Sequence, residues 1–480
     1  MIYDVAIIGA GVIGGMLARE LSRYDLRVCL LEKENDVACG ASRANSGIIH
    51  GGYDPEPGTL KAKLNSEGVE LLFQAIEELH VPAKRNGSMV CAFSGTEVET
   101  LRKLYDQGLE NGISGLQLLS GQQARQLEPQ LSQNVEGVLL VTNAGIVCPY
   151  ELTVAAIGNA MDNGVELHRN FAVCGIEKNE DIFTVTAVSG EKLQSRYLVN
   201  CAGGYSDRIA QLAGDDFFRV IPRSGEYLLL DKAEGARASY TLFQVPTAAG
   251  KGILVSPTVD GNLLTGPTAT RVDTPESRDT TPEGLDTVIR LAKKTVPSVD
   301  FRQVITSFTG VRATGADGKF TLEPSRHLSG LIHAGAIDSP GLTCCVSIAK
   351  YLPGLLTQAG LTLTAKGSWD GTRPDPHAFR HMDEEAANAY IQENPAYGKV
   401  VCRCETVSEG EILDAIRRNP GARDIDGVKR RTRSGMGRCQ GGFCGPYIME
   451  LLSKELGIPM EEVTKSGGES RMVMGKVGEV

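Results

Sequence analysis

Four cysteines late in the chain form two close pairs, Cys402-Arg-Cys404 and Cys439-Gln-Gly-Gly-Phe-Cys444, with 34 residues between the pairs. Such pairs suit a tetrathiolate site: each brings two ligands together at little entropic cost, and the intervening chain folds back to unite them. Cys402-x-Cys404 is tighter than the usual zinc pair, and the spacing alone admits an iron–sulfur cluster, a structural zinc or disulfides. At the other end of the chain, Gly9-Ala10-Gly11-Val-Ile13-Gly14 follows a short apolar run, and Glu32 closes the next one. This is the dinucleotide pattern: Gly9 allows a tight turn, Gly11 lets backbone approach a pyrophosphate, and Gly14 lets helix and strand pack closely. The helix N-terminus supplies N–H groups and partial positive charge to the phosphates. Glu32 lies where a carboxylate binds ribose hydroxyls and disfavours a 2′-phosphate. Two further residues carry chemistry of their own. His50 ends a second loop of small residues, and an imidazole with an ordinary pKa of about 6.5 accepts an alcohol proton as hydride leaves the adjacent carbon. Its plainer role is a packed ring bonded to a carbonyl. Arg312, in Thr309-Gly-Val-Arg312-Ala, offers a planar fork for a phosphate or carboxylate, the plainer alternative being a surface ion pair.

These residues need elements to hold them. Tyr3–Ile8 is the β-branched run of a buried parallel strand, a helix follows through Leu21, and Arg27–Leu31 predicts a second strand. Further helices are predicted over 60–80, 151–163, 284–295 and 342–357. Glu226–Leu230, Gly252–Ser256 and Asn262–Thr265 read as antiparallel strands of a cap. Residues 367–398 are Pro- and turn-rich with a polar helix over Met382–Gln392, which reads as a linker. Ser408-Glu-Gly-Glu411 is a capping box opening a helix through Arg417, and Gly445–Leu452 opens another beside Cys444. Arg423, Lys429, Arg430, Arg431, Arg433 and Arg438 crowd the cysteine segment, either to offset a charged cluster and guide a partner or as a solvated basic face. His80, His168, His327, His377 and His381 show no ligand spacing and read as surface or loop. Cys29 and Cys201 lie in predicted buried strands and read as core, and Cys344-Cys345, in an apolar run, read as two packed thiols, the alternative being a vicinal redox pair.

Composition narrows the function classes. The chain has 480 residues, 41% hydrophobic and 22% charged, which excludes disorder and supports a sizeable core. A net charge of −10 with only 5% aromatics argues against nucleic-acid binding. Twelve cysteines, four of them in one late cluster, point to metal chemistry in a reducing compartment. Ile2–Ala18 is apolar but lacks a basic n-region, contains Asp4 and is punctuated by glycines, so it is not read as a signal peptide. A cytoplasmic protein is expected, in reach of a membrane only through a partner.

Cys39-Gly-Ala41-Ser42-Arg-Ala-Asn45-Ser46-Gly47-Ile-Ile-His50, Tyr197 to Asp207, and His333-Ala-Gly335-Ala-Ile-Asp338-Ser339-Pro-Gly341-Leu342-Thr343 together resemble, in type and order, the D-amino-acid-oxidase-like flavoproteins. Within them, Ser42 to His50 with Pro57 to Lys63 resembles the branch of glycerol-3-phosphate dehydrogenases and L-2-hydroxyglutarate oxidases. The cysteine segment resembles the bacterioferritin-associated-ferredoxin-like 2Fe–2S domain. The resemblance implies an α/β fold: a Rossmann-like FAD-binding domain interleaved with an antiparallel-sheet substrate cap, plus a small C-terminal four-cysteine domain. The FAD-binding segments would span about 1–69, 151–215 and 309–366, and the cap about 70–150 and 216–308. A linker would follow at 367–398, a 2Fe–2S domain at 399–460 and a tail at 461–480. FAD would be held by Gly9, Ala10, Gly11, Ile13, Gly14, Glu32 and Lys33, by Ala41, Ser42, Asn45, Ser46 and Gly47, by Ala202 and Gly203, and by Gly335, Asp338, Gly341, Leu342 and Thr343. His50 would be the base, Arg312 the anion-binding group, Lys251 and Ser339 further substrate contacts, and Cys402, Cys404, Cys439 and Cys444 the cluster ligands. The expected enzyme is an FAD-dependent dehydrogenase of sn-glycerol 3-phosphate, its electrons leaving through the 2Fe–2S cluster to an accepting partner. L-2-hydroxyglutarate, an amine such as proline or sarcosine, or a relay subunit without its own substrate are the alternatives.

Overall fold

A computed structural model describes residues 1–246 and 252–475. Strand β1 (Ile2–Ile8), helix α1 (Val12–Leu21) and strand β2 (Val28–Leu31) form as the opening pattern predicts. β1 pairs in parallel with β2 on one side and with Lys192–Asn200 on the other. Leu331–Gly335 extends the parallel set beyond Lys192–Asn200, and Glu166–His168 extends it beyond β2. Register aligns Ile8 with Leu31 and Asn200, and Asn200 with His333. The turn at Gly9, the acid at Glu32 and the turn at Cys201–Gly203 therefore all emerge at one carboxyl edge, where open α/β sheets bind ligands. An antiparallel hairpin (Val173–Asn179, Ile182–Ala187) and Thr321–Pro324 complete eight strands. Val5, Ile7, Leu17, Leu21, Val199, Ile332, Ile348 and Leu352 form the core beneath the helices, each contributing about 1.5–3 kcal/mol of burial. A Cβ on Gly15 of α1 would come within 2.8 Å of Ile157, so glycine sets the close approach of the helix Pro149–Asp162.

The cap is a nine-stranded, mainly antiparallel sheet. Its long strand Val220–Leu230 pairs along its whole length with Val304–Gly315 and sets Arg223 opposite Arg312. The boundary expected at 309 falls inside this strand, whose pairing continues to Gly315, so Arg312 belongs to the cap sheet. A small sheet of Ile48–Ile49, Gly145–Val147 and Ala83–Lys84 fixes the loop that ends at His50.

Near the C-terminus, a hairpin (Val400–Cys402 with Val407–Ser408) and helices Glu409–Arg417, Ile425–Thr432 and Gly445–Leu456 share an apolar core of Val407, Ile412, Ile416, Val428, Ile448 and Leu452. Both arms of the Ser408/Glu411 capping box are made. The stretch before this domain has little regular structure yet is packed. Trp369 Nε1 donates to Ser22 Oγ at 3.0 Å, Arg373 Nε donates to Asp162 at 2.8 Å, and Arg373 Nη2 donates to the Asn419 carbonyl. His377, expected at the surface, is instead buried against Glu151, its Nε2 2.7 Å from the carboxylate, because the Pro-rich chain folds back onto the helix Pro149–Asp162. The basic segment is not a solvated face throughout either. Arg430 and Arg431 both reach the fully buried Asp36 at 2.7 Å, and buried Arg433 pairs with Asp260 and Glu405. Among the described residues no helix is long and apolar enough to cross a membrane.

Candidate flavin site and four-cysteine centre

A cavity of about 1690 Å³ runs from the carboxyl edge of the parallel sheet to the inner face of the cap. It exceeds the roughly 300–1,000 Å³ of an ordinary small-molecule pocket, which leaves room for a dinucleotide and a substrate together. Gly9, Gly11, Ile13, Glu32, Lys33, Ala41, Ser42, Asn45, Ser46, Gly47, Ala202, Gly203, Asp338, Gly341 and Leu342 line it, with His50, Ser339 and Arg312. Ala10, Gly14, Gly335 and Thr343 stand behind the wall. The Ala10 N–H is bonded to Glu32, and a Cβ on Gly14 would fall 2.0 Å from the Gly9 carbonyl oxygen. Gly335 packs on Ser206 and Phe218, while Thr343 accepts the His50 N–H at 2.8 Å. Lys251 lies outside the described residues.

The glycine-rich edge fits a bound dinucleotide. Gly9 has φ +105°, and a Cβ there would strike the Cys201 carbonyl at 2.5 Å. Ser42 Oγ accepts from Val12 N at 2.9 Å, which fastens the second loop to the start of α1. Asn45 braces its own loop, donating to the Ala41 carbonyl and accepting from the Gly47 N–H. The Glu32 carboxylate accepts from Ala10 N at 2.9 Å and Glu34 N at 3.0 Å. A carboxylate has about four acceptor sites, so two remain for ribose hydroxyls. Burial pushes its pKa up to about 7 against the pull of those two N–H groups.

At the other end of the cavity, His50 Nε2 lies 3.2 Å from Ser339 Oγ, and its ring tilts against Phe243 at 5.7 Å between centroids. Asn65 Nδ2 donates to the His50 carbonyl at 3.0 Å, so backbone and ring are both held. Among the described residues Arg312 donates only to the Thr268 carbonyl, at 3.4 Å from each terminal nitrogen, and no carboxylate pairs with it. A half-buried guanidinium so lightly engaged on a cavity wall suits an anionic ligand. Sequence reasoning missed several neighbours: Arg223 opposite Arg312, Tyr227 on Ser46 at 3.0 Å, and Lys61 paired with Asp338 at 2.8 Å. The strand register and the fold's long-range contacts are what bring these into place. The pattern Pro57 to Lys63 contains Lys61, and that was the one local signal available for it.

The four thiols fall into two sets. Cys404 and Cys439 are 3.7 Å apart at sulfur, and the buried free thiols of Cys402 and Cys444 lie near enough to shift each other's ionisation. Two thiolates on one tetrahedral metal, each at about 2.3 Å, stand about 3.8 Å apart. Among the described residues no three acidic, His or Cys side chains are arranged around one ion. Two pairs serving two metals is the donor set of a 2Fe–2S centre. The neighbouring Cys444 thiol, helped by the backbone at Gly435 and Glu405, pulls the Cys402 thiol down to about 6 despite burial.

Comparison with known proteins agrees with this geometry. Residues 4–355 match the family of FAD dependent oxidoreductases and residues 400–454 the BFD-like [2Fe-2S] binding domain. The chain belongs to the FAD-dependent oxidoreductase family; it is a flavoprotein of mixed α/β fold carrying a C-terminal [2Fe–2S] binding domain. It is similar to a glycerol 3-phosphate dehydrogenase of Caloramator mitchellensis, 42% identical over 98% of both chains. It also resembles a glycerol 3-phosphate oxidase of Mycoplasma genitalium, 33% identical over 76% of this chain and 97% of that one. The solved structure of the dithionite-reduced L-α-glycerophosphate oxidase of Mycoplasma pneumoniae with FAD bound superimposes with a TM-score of 0.74. It is 31% identical and covers 78% of this chain and 98% of its own.

Proposed function

We propose that the protein oxidises sn-glycerol 3-phosphate to dihydroxyacetone phosphate and passes the electrons out through the C-terminal cluster. When bound, FAD accepts hydride from the carbinol carbon and a 2Fe–2S centre carries electrons one at a time. The chain's residues do the rest. His50 takes the alcohol proton, and Ser339 on Nε2 together with Thr343 on the backbone N–H holds it for that transfer. Arg312 binds the phosphate, and Lys251 is assigned a supporting contact. Cys402 with Cys444 and Cys404 with Cys439 hold the two irons. The observation that carries this reading is the likeness, over 98% of both chains, to a glycerol 3-phosphate dehydrogenase, in a protein whose cavity joins His50 to an Arg312 that pairs with no carboxylate among the described residues.

A second reading rests on a relative too. A human mitochondrial L-2-hydroxyglutarate dehydrogenase is 30% identical over 56% of this chain and 61% of its own, and its named substrate is also a secondary alcohol with an anionic end. The test is anaerobic bleaching of the flavin band by glycerol 3-phosphate, L-2-hydroxyglutarate and L-proline in turn. Bleaching by glycerol 3-phosphate alone is the expected result. Bleaching by L-2-hydroxyglutarate alone would move the substrate and keep the mechanism. No bleaching by any of them would leave the flavin without a substrate of this class and overturn the reading.

A further inference from the structure

Between the cap strand Leu263–Gly266 and the helix Pro282–Thr295 runs a strap, residues 267–281, and most of it lines the cavity. Both ends are fastened to one residue of the cap. The Thr268 N–H donates to the Glu226 carbonyl at 3.3 Å, and Thr268 Oγ1 accepts the Glu226 N–H at 3.0 Å. The Glu226 carboxylate accepts from Thr281 N at 2.7 Å and from Thr281 Oγ1 at 3.1 Å. Between these anchors the strap reaches across to the parallel sheet. A Cβ on Gly204, in the turn that follows Lys192–Asn200, would fall 3.0 Å from Pro275. Arg278 Nη2 donates to the Cys39 carbonyl at 3.4 Å, on the loop that follows β2. The strap therefore spans the two turns that emerge at the carboxyl edge, where the dinucleotide pattern begins.

That edge calls for positive charge. A dinucleotide pyrophosphate is a dianion, and the N-terminus of α1 offers the equivalent of only about half an elementary charge. Ser42 Oγ takes the Val12 N–H, so the second loop meets the start of α1 at this point, and Arg43 directly follows. Arg43 is half-buried, Arg278 is exposed, and both line the cavity. Among the described residues neither pairs with a carboxylate. Burial lowers the pKa of Arg43, and the nearby Arg278 lowers it further. The acids of this region are engaged elsewhere. Glu34 pairs with Lys33, Asp36 with Arg430 and Arg431, and Asp426, the carboxylate that favours the Arg43 charge, with Lys465 at 3.0 Å. Glu32 accepts from two backbone N–H groups. Asp279 lines the cavity beside Arg278, but it is exposed and forms no ion pair among the described residues, while Asp273 and Glu276 of the strap lie off the cavity wall. Lys33 and Arg208 stand over the Tyr205 ring, at 4.9 and 5.3 Å from its centroid. Arg43 and Arg278 are thus two like charges close enough to oppose each other, and a dianion between them would turn that repulsion into attraction.

We infer that Arg278 of the cap strap and Arg43 of the second loop bracket the FAD pyrophosphate, so that the substrate cap itself retains the cofactor. The glycine turns and α1 hold the dinucleotide from the side of the sheet, and Arg278 closes over it from the side of the cap. Glu226, by holding both ends of the strap, is the positioning residue for Arg278. The inference concerns the cofactor and is independent of which alcohol the enzyme oxidises.

The test uses the full-length protein and reads cofactor binding rather than turnover. The rate of FAD release is followed as flavin fluorescence returns when the holoenzyme is diluted. Deflavinated protein is then titrated with FAD, and ADP and adenosine are measured as competitors. Arg278→Ala should weaken FAD and ADP alike by about tenfold and speed FAD release by a similar factor, while adenosine, which has no phosphate, competes as before. Arg278→Lys keeps the charge and should lose no more than about threefold. Raising salt should weaken FAD binding to the wild type more than to Arg278→Ala. Asp279→Asn, which removes the one carboxylate beside Arg278 on the cavity wall, should leave ADP affinity equal or tighter. Arg43→Ala should cost more than Arg278→Ala because Arg43 is half-buried. If that variant fails to fold, Arg278→Ala decides alone, since Arg278 is exposed and its one bond is long; its flavin-free form should melt no lower than the wild type. FAD and ADP affinities within twofold of the wild type in Arg278→Ala would overturn the inference. So would an equal loss for adenosine, which would make the strap a steric cover without a role for its charge.

Discussion

Removing the Arg312 guanidinium tests the substrate reading most directly. It projects from the cap strand Val304–Gly315, opposite Arg223, and its contacts within the described protein are two long ones to a single carbonyl, at 3.4 Å. Such contacts contribute little to folding, so Arg312→Ala should melt within about 2 °C of the wild type, as substitutions away from dense packing do. Its effect should fall on substrate. A phosphate held by two charge-assisted hydrogen bonds, each contributing about 1.5–3 kcal/mol, loses at least about 3 kcal/mol, or roughly a hundredfold in kcat/KM. Arg312→Lys keeps the charge without the fork and should recover about half of that free energy, a loss of roughly tenfold. The assay is the rate of anaerobic flavin bleaching against glycerol 3-phosphate concentration, with inorganic phosphate as a competitive inhibitor in both proteins. The loss should appear mainly in KM, and phosphate should inhibit the alanine variant far more weakly. If Arg312→Ala keeps kcat/KM within threefold and phosphate inhibits it as before, Arg312 is not the anion site.

Three further outcomes follow from named contacts. Glu32 is pushed up to about 7 in the ligand-free fold, and ribose hydroxyls donate best to its ionised form. FAD affinity for the apoprotein, measured by flavin fluorescence quenching, should therefore fall about tenfold from pH 8 to pH 6, and Glu32→Gln should flatten that dependence. Ser339→Ala removes the partner of His50 Nε2, a neutral bond of about 1 kcal/mol; kcat should drop about fivefold with little change in KM, and an unchanged kcat would dismiss the positioning role. Burial alone would raise the Asp36 carboxyl, but Arg431 and Arg430 overcome it and hold it well below the usual carboxylate range. Its stabilisation is thus present above the unfolded value of about 3.9 and lost as pH falls below it. Asp36→Ala, which leaves buried Arg431 without its carboxylate and Arg430 with only Asp424 at 4.0 Å, should cost about 3–5 kcal/mol in urea unfolding at neutral pH.

Local spacing made the chemistry legible. The glycines at 9, 11 and 14, the small-residue loop ending at His50 and the Ser408/Glu411 box each encode their geometry within a dozen residues and form as read, whereas the cysteines, paired in sequence as 402 with 404 and 439 with 444, are set in space as 404 with 439 and 402 with 444. Contacts set by strand register were not legible. Nothing in the local sequence places Arg223 across from Arg312 or Phe243 against the His50 ring, because the first depends on strand register within the cap sheet and the second on two different sheets meeting. His377 was misread for the same reason. A histidine in a Pro-rich stretch gives no sign that Glu151, on a helix far back in the chain, will meet its ring. Charge was the hardest signal to assign. A run of arginines near a cysteine cluster reads equally as solvated surface or as counter-charge, and the structure uses several of them for a third purpose.

That third purpose is docking of one domain on another. The eight-residue helix Ile425–Thr432 and the residue that ends it touch three parts of the molecule at once. Arg430 and Arg431 meet Asp36, on the loop that leads from β2 to the cavity-lining Ser42. Arg433, in a left-handed backbone conformation at φ 68°, meets Asp260 and Asn262 between two cap strands and Glu405 beside Cys404. Ion pairs of this kind add little net stability over apolar packing of the same volume, and domains joined through polar contacts move by default. What these pairs supply is a single geometry: a shifted domain would strand several buried charges, so intermediate positions are costly. The proposed electron exit needs such a fixed seat, because a flavin and a cluster held in these two domains would share no covalent path to keep them in register. Arg438 joins the same seam through Asp231, just beyond the cap strand Val220–Leu230, while Arg403, between two of the cysteines, pairs with no carboxylate among the described residues. The basic segment thus serves mainly to seat the four-cysteine domain against the flavoprotein, and its arginines are spent on specific carboxylates rather than on a solvated face.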